Sequence, residues 1–152
     1  MGGTVVIGIG QERRGDDAIG LLVARRLAAL PPANCRVLEH DGDGMDLLLA
    51  WEGADQAILV DALLSGGQAG ELRVIDATEA SLSAALFSST SSHALGLAEA
   101  IELGRALGRL PDRVLIYGIE GADFATGSSP SPAVLGALDQ VVALIREEID
   151  DA

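Results

Sequence analysis

The stretch Val5-Val6-Ile7-Gly8-Ile9-Gly10-Gln11-Glu12-Arg13-Arg14-Gly15-Asp16-Asp17-Ala18-Ile19-Gly20 constrains the chain more than any other. Its apolar, β-branched run predicts a buried strand that ends in a Gly-x-Gly turn. A polar loop follows, and then a helix that opens on two adjacent aspartates. From there Ile19, Leu22, Val23 and Leu27 recur at steps of three and four, which marks one apolar helix face. Strand, glycine turn and acidic helix start, in that order, place carboxylates beyond the carboxyl end of a central strand. Open α/β sheets keep their sites in that crevice. A dinucleotide fingerprint is excluded, because Arg13 stands where the third glycine is needed. Asp16 and Asp17 would also occupy the positive helix end that otherwise attracts a phosphate. The reading of Asp16 that needs no ligand is a cap, with Asp17 in the first turn of the same helix.

The rest of the chain alternates in the same way. Pro31-Pro32 and Asn34 stop the first helix, and Cys35–Glu39 reads as a second strand. The turn His40-Asp41-Gly42-Asp43-Gly44 leads into a short buried helix, Met45–Trp51. Gln56–Val60 is the next strand and terminates on Asp61. Between Leu63 and Gly70 there are too few residues for a parallel crossover. Glu71–Ile75 is therefore expected to return antiparallel, as an edge strand after a glycine-rich hairpin loop. Residues 77 to 94 are rich in serine and alanine, with Ser88-Ser89-Thr90-Ser91-Ser92 just before His93. A helix is predicted from Leu95 to Leu107, a strand over Val114–Ile119, and a last helix from Ser131 or Pro132 to Ile149. The expected fold is α/β: a three-layer sandwich whose mostly parallel sheet has about five strands, one of them an antiparallel edge strand, with helices on both faces. No repeat or linker divides the sequence, so residues 1–152 are expected to form a single domain.

A formal charge of -13 argues against nucleic acid or an anionic membrane as partner and favours a basic partner or a cation. Aromatic residues make up only 3%, too few for base-stacking platforms. The one cysteine, Cys35, excludes an internal disulfide. With no signal-peptide pattern and no apolar run near the roughly 18 residues of a membrane span, a cytoplasmic setting is expected.

Three potential ligands share one rim in this arrangement. Asp17 lies past the first strand, Asp61 closes the third, and His93 precedes a helix in a serine-rich loop. An Asp/Asp/His set suits nickel, zinc or manganese rather than copper(I), and leaves positions open for water or substrate. Plainer readings stand beside it. Asp61 can be a strand end bonded to a neighbouring loop, and His93 can cap its helix. His40 and Asp41 are rival ligands on the same rim.

Taken in order, Gly8-Ile9-Gly10, Asp16-Asp17-Ala18-Ile19-Gly20, Val60-Asp61-Ala62 and His93-Ala94-Leu95-Gly96-Leu97 resemble the nickel–iron hydrogenase maturation proteases. The likeness covers nearly the whole chain. It implies an endopeptidase that removes a C-terminal extension from the hydrogenase large-subunit precursor after nickel insertion. It also implies that the metal-contacting residues are Asp17, Asp61 and His93, and that the nickel is the client's own rather than permanently held. Two positions depart from the family pattern. Gln11 stands where asparagine is common, and Gly42-Asp43 replaces a frequent Gly-Thr.

No nucleophile follows the usual rules. Cys35 opens a strand at the far end of the sheet and reads as a small core residue. The serines at 88, 89, 91 and 92 lack a Gly-x-Ser-x-Gly elbow. Metal-assisted hydrolysis is the preferred expectation, with either aspartate able to act as an aspartyl general base. The alternatives are a non-catalytic metal- or nucleotide-binding module of flavodoxin-like shape, and a general metallopeptidase.

Overall fold

The computed structural model describes residues 2–78 and 94–151. The first apolar run forms β1 (Thr4–Ile9), buried at every position because it lies mid-sheet with helices on both faces. After it come a 3-10 turn (Gly15–Ala18), α1 (Ile19–Ala29), β2 (Cys35–His40) and α2 (Gly44–Ala50). Then follow β3 (Gln56–Leu63), β4 (Leu72–Asp76), α3 (Ala94–Ala106), β5 (Arg113–Glu120) and α4 (Pro132–Asp150).

The strands form one sheet in the order β2-β1-β3-β5-β4. The pairs β1–β2, β1–β3 and β3–β5 are parallel, and β4 joins β5 antiparallel. This is the expected α/β sheet with one antiparallel edge. Alternate residues feed two core layers, as the pleat requires. Val5, Ile7, Ile9, Leu59 and Ile116 pack with Leu47 and Trp51 around α2 and with Leu97 and Ile101 of α3. Val6, Ile58, Val60, Leu115 and Ile119 pack with Ile19, Val23 and Leu27 of α1 and with Val134, Val141 and Ile145 of α4. Helices therefore cover both faces.

Two expectations need correction. The segment after Asp61 is not a hairpin, because β5 lies between β3 and β4. The loop 64–71 spans two strand spacings of about 4.8 Å each, which eight residues do easily, and a later strand fills the gap. The third strand also does not stop at Asp61. It continues through Ala62 and Leu63, which pair with Ile119 and Glu120. Asp61 thus stands within a paired strand, more firmly held than a strand end would be.

Candidate functional site

The chain leaves β1 toward β2 on one side and returns to β3 on the other. The β1–β3 junction is therefore the topological switch point, where a crevice opens at the carboxyl ends of the strands. Asp17 and Asp61 both belong to this junction. The 3-10 turn that carries Asp17 lies against β3. Asp17 is 0% exposed and Asp61 2%. One carboxylate oxygen of Asp17 accepts from the Gln11 N–H at 3.1 Å, and Asp61 accepts from the Ala62 N–H at 2.8 Å.

Glycines set how closely the turn approaches the sheet. A Cβ on Gly20 would lie 2.3 Å from the Ile9 carbonyl oxygen and 2.5 Å from that of Val60. A Cβ on Gly10 would lie 2.2 Å from the Asp17 carbonyl oxygen. The start of α1 is thus pressed backbone to backbone onto the ends of β1 and β3, one residue short of Asp61. The spacing of Gly10, Asp17 and Gly20 is a packing device that holds the acidic turn against the ends of both strands.

Asp16 does not cap α1. The 3-10 turn runs directly into that helix, and the Ile19 N–H donates to the Asp16 carbonyl. The Asp16 side chain turns away instead, toward the loop 121–131. It accepts from the backbone N–H of Ala122 (2.7 Å), Asp123 (3.1 Å) and Ser131 (2.6 Å), and from the Ser131 hydroxyl (3.0 Å). Ser131 is the N-cap residue of α4, so Asp16 places its charge at the start of a helix far along the chain, where the dipole favours an anion. Burial opposes its ionisation, but the bonds from Ser131, Ala122 and Asp123 outweigh it and hold the carboxyl below its ordinary value. The Asp16 N–H donates to the Asp123 carbonyl, and the Gly15 N–H to that of Ser128. The acidic turn and the distant loop therefore brace each other.

A family model described as hydrogenase maturation protease matches residues 21–148. The chain belongs to the hydrogenase maturation proteases. It is 30% identical over 151 residues to the hydrogenase 2 maturation protease of Escherichia coli strain K12, across 94% of this chain and 90% of that one. It is also 30% identical over 149 residues to the hydrogenase expression/formation protein HupD of Rhodobacter capsulatus, covering 94% and 70% of the two chains. Among solved structures, the hydrogenase maturating endopeptidase HybD from E. coli superposes with a TM-score of 0.77 at 27% identity, over 96% of this chain and 93% of that chain. Membership in a peptidase family does not agree with the non-catalytic flavodoxin-like module weighed from the sequence.

The other residues singled out in the protease divide clearly. His93 and the serines at 88, 89, 91 and 92 lie outside the described residues. Among the described residues no group of three His, Cys, Asp or Glu side chains is placed to hold a metal ion. The rivals His40 and Asp41 serve their own turn. His40 Nδ1 accepts from the Gly42 N–H at 2.9 Å, and Asp41 from the Asp43 N–H at 3.0 Å. They border an open cleft of about 370 Å³ with Gly10, Leu21, Glu39 and Asp46. Cys35 is half-buried against the α1–α4 layer, and burial pushes its thiol up, partly offset by Arg146. A thiol held protonated is a poor nucleophile.

Both departures from the family pattern take local roles. Gln11 serves Asp17 through its backbone, while its side chain accepts from Arg14 at 3.4 Å. Asp43 is the N-cap of α2 and accepts from the Met45 N–H at 3.1 Å.

One rim residue escaped the sequence reading. Glu120 ends β5 and is 2% exposed, with its carboxylate bonded to Ser65. Its signal was an acidic residue closing an otherwise apolar strand.

Proposed function

We propose that this protease removes a C-terminal extension from the large-subunit precursor of a nickel–iron hydrogenase once nickel is in place, and that it recognises the client's nickel through Asp17, Asp61 and His93. The observation that carries the reading is the delivery of Asp17 and Asp61, from separate elements, to the sheet's switch point, both shielded from water. Two acidic groups gathered there are an arrangement that a divalent cation stabilises. Position supports the histidine. Asp61 alternates with Leu59 and Leu63, which face the layer containing α3, and α3 begins one residue after His93.

Two carboxylates and an imidazole form a borderline oxygen–nitrogen donor set, which nickel accepts. In this reading the protease grips an ion that the client already carries, which aligns the client's chain in the crevice. Held there, such an ion would supply Lewis-acid polarisation of the scissile carbonyl or the attacking water. Water oxygen adds to the carbonyl carbon, an aspartate accepts its proton, and the proton passes to the departing amine as the C–N bond breaks. The acidic cleft beside Gly10 and Asp46 offers a path for a basic stretch of the client.

The test is processing of a purified large-subunit precursor, nickel-loaded and nickel-free, with a generic peptide as control. The wild-type chain shortens only the nickel-loaded form. Equal cleavage of the nickel-free form refutes nickel recognition, and cleavage of the generic peptide points to a general metallopeptidase.

A further inference from the structure

Glu120 and Asp61 stand on the same face of the sheet. On β5, Glu120 alternates with Val114 and Ile116, and on β3, Asp61 alternates with Leu59 and Leu63. These flanking residues all belong to the layer beneath α2 and α3. Asp61 lies opposite Gly118, and Glu120 lies opposite Leu63, so the two acids are diagonal neighbours on adjoining strands. Glu120 has a different task from Asp61. Its Oε2 accepts from the Ser65 N–H at 2.8 Å, and its Oε1 from the Ser65 hydroxyl at 2.5 Å. Its backbone holds the other end of the same loop. The Gly70 N–H donates to the Glu120 carbonyl at 2.7 Å, and the Glu120 N–H donates to the Glu71 carbonyl at 2.8 Å.

One residue therefore pins both ends of the segment 64–71, which leaves the sheet just beyond Asp61. A buried carboxylate is a costly way to close a surface loop unless the loop's path matters. The loop itself is suited to meet a peptide. Gly66, Gly67 and Gln68 are exposed, and the two glycines present backbone N–H and C=O groups without side chains in front of them. Gly67 sits over the latch, because a Cβ there would come within 3.1 Å of both the Glu120 and the Glu71 carboxylates.

We propose that Glu120 is a positioning residue: acting through Ser65, it holds the loop 64–70 as a wall of the site along which the client's peptide backbone aligns. This rests on the protease reading given above. The role concerns binding of the client rather than the bond-breaking step.

The test compares full-length wild type with Glu120→Ala, Glu120→Gln and Ser65→Ala, using the nickel-loaded precursor. Amide hydrogen exchange across residues 64–70 of the free proteins is measured in parallel. Glu120→Ala raises KM about tenfold, equivalent to about 1.4 kcal/mol, with kcat within about twofold, and exchange in the loop accelerates. Glu120→Gln keeps an acceptor for Ser65 and recovers most of the affinity. Ser65→Ala retains one of the two bonds and raises KM about threefold, and it decides the matter if Glu120→Ala does not fold. Unchanged KM in the folded variants overturns the inference, whether or not the loop exchanges faster. A fall in kcat at constant KM overturns it too. A wild-type chain that leaves the nickel-loaded precursor whole refutes the protease reading itself, an outcome separate from cleavage with unmoved KM.

Discussion

Replacing Asp16 separates two roles that differ in size. A residue that only capped α1 would lose about 1 kcal/mol on change to alanine. In the structure its carboxylate accepts three backbone N–H bonds and one hydroxyl bond at 2.6–3.1 Å, all from the segment 122–131. Bonds to a charged acceptor contribute about 1.5–3 kcal/mol each, but these four share one group and are not additive. Ser131 can turn its hydroxyl to water, which leaves three backbone donors at about 1 kcal/mol each as a lower bound. Asp16→Ala is therefore expected to lose about 3–4 kcal/mol, and Asp16→Asn, which keeps one acceptor oxygen, about 2 kcal/mol. For a chain of this length a loss of about 3 kcal/mol lowers Tm by roughly 6–12 °C. Urea denaturation at pH 7 measures it directly. The carboxyl's value is lowered in the folded state, so its contribution is complete above the ordinary value of 3.8 and fades as pH falls through the lower folded value. The gap between wild type and Asp16→Asn should close over that acid range. A loss near 1 kcal/mol, with no change in the gap on acidification, would refute the brace between the two loops.

Other outcomes follow from the same geometry. Asp17→Asn, Asp61→Asn and His93→Ala are each expected to abolish precursor processing; normal trimming by all three would remove them from the site. Gly20→Ala forces a methyl group against the Ile9 and Val60 carbonyls and should destabilise by about 1–3 kcal/mol or more while impairing processing, read by denaturation and by precursor cleavage. Cys35→Ala should process normally, and the native thiol should react with iodoacetamide more slowly than a free cysteine at pH 8, since burial holds it protonated.

Much of the architecture was legible because strand, turn and helix signals agreed at each step. The buried run before Gly8 and the stepped apolar faces of α1 and α4 sufficed for layers and mostly for element limits. What escaped was non-local. Nothing near Asp16 in sequence reveals that its bonding partners lie beyond residue 120. A capping position and a tether read alike until the chain is folded. The same holds for β4, whose neighbour depends on where a strand almost forty residues later inserts. For the site, the placement of Asp17 and Asp61 at the β1–β3 junction could be anticipated from the switch-point rule. Glu120 carried the same strand-end signal but was passed over, because an acid there is ordinarily solvated and here is sealed by Ser65.

The placement of β5 bears on how the molecule comes into being. Chains emerge from the ribosome N-terminus first, so β3 is exposed on one flank, and β4 has no sheet partner, until Arg113–Glu120 has been synthesised. Only then can Glu120 meet Ser65, and only with Ser131 does Asp16 find its partners. A nascent or prematurely terminated product thus carries Asp17 and Asp61 without the bonds that fix the loops 64–71 and 121–131.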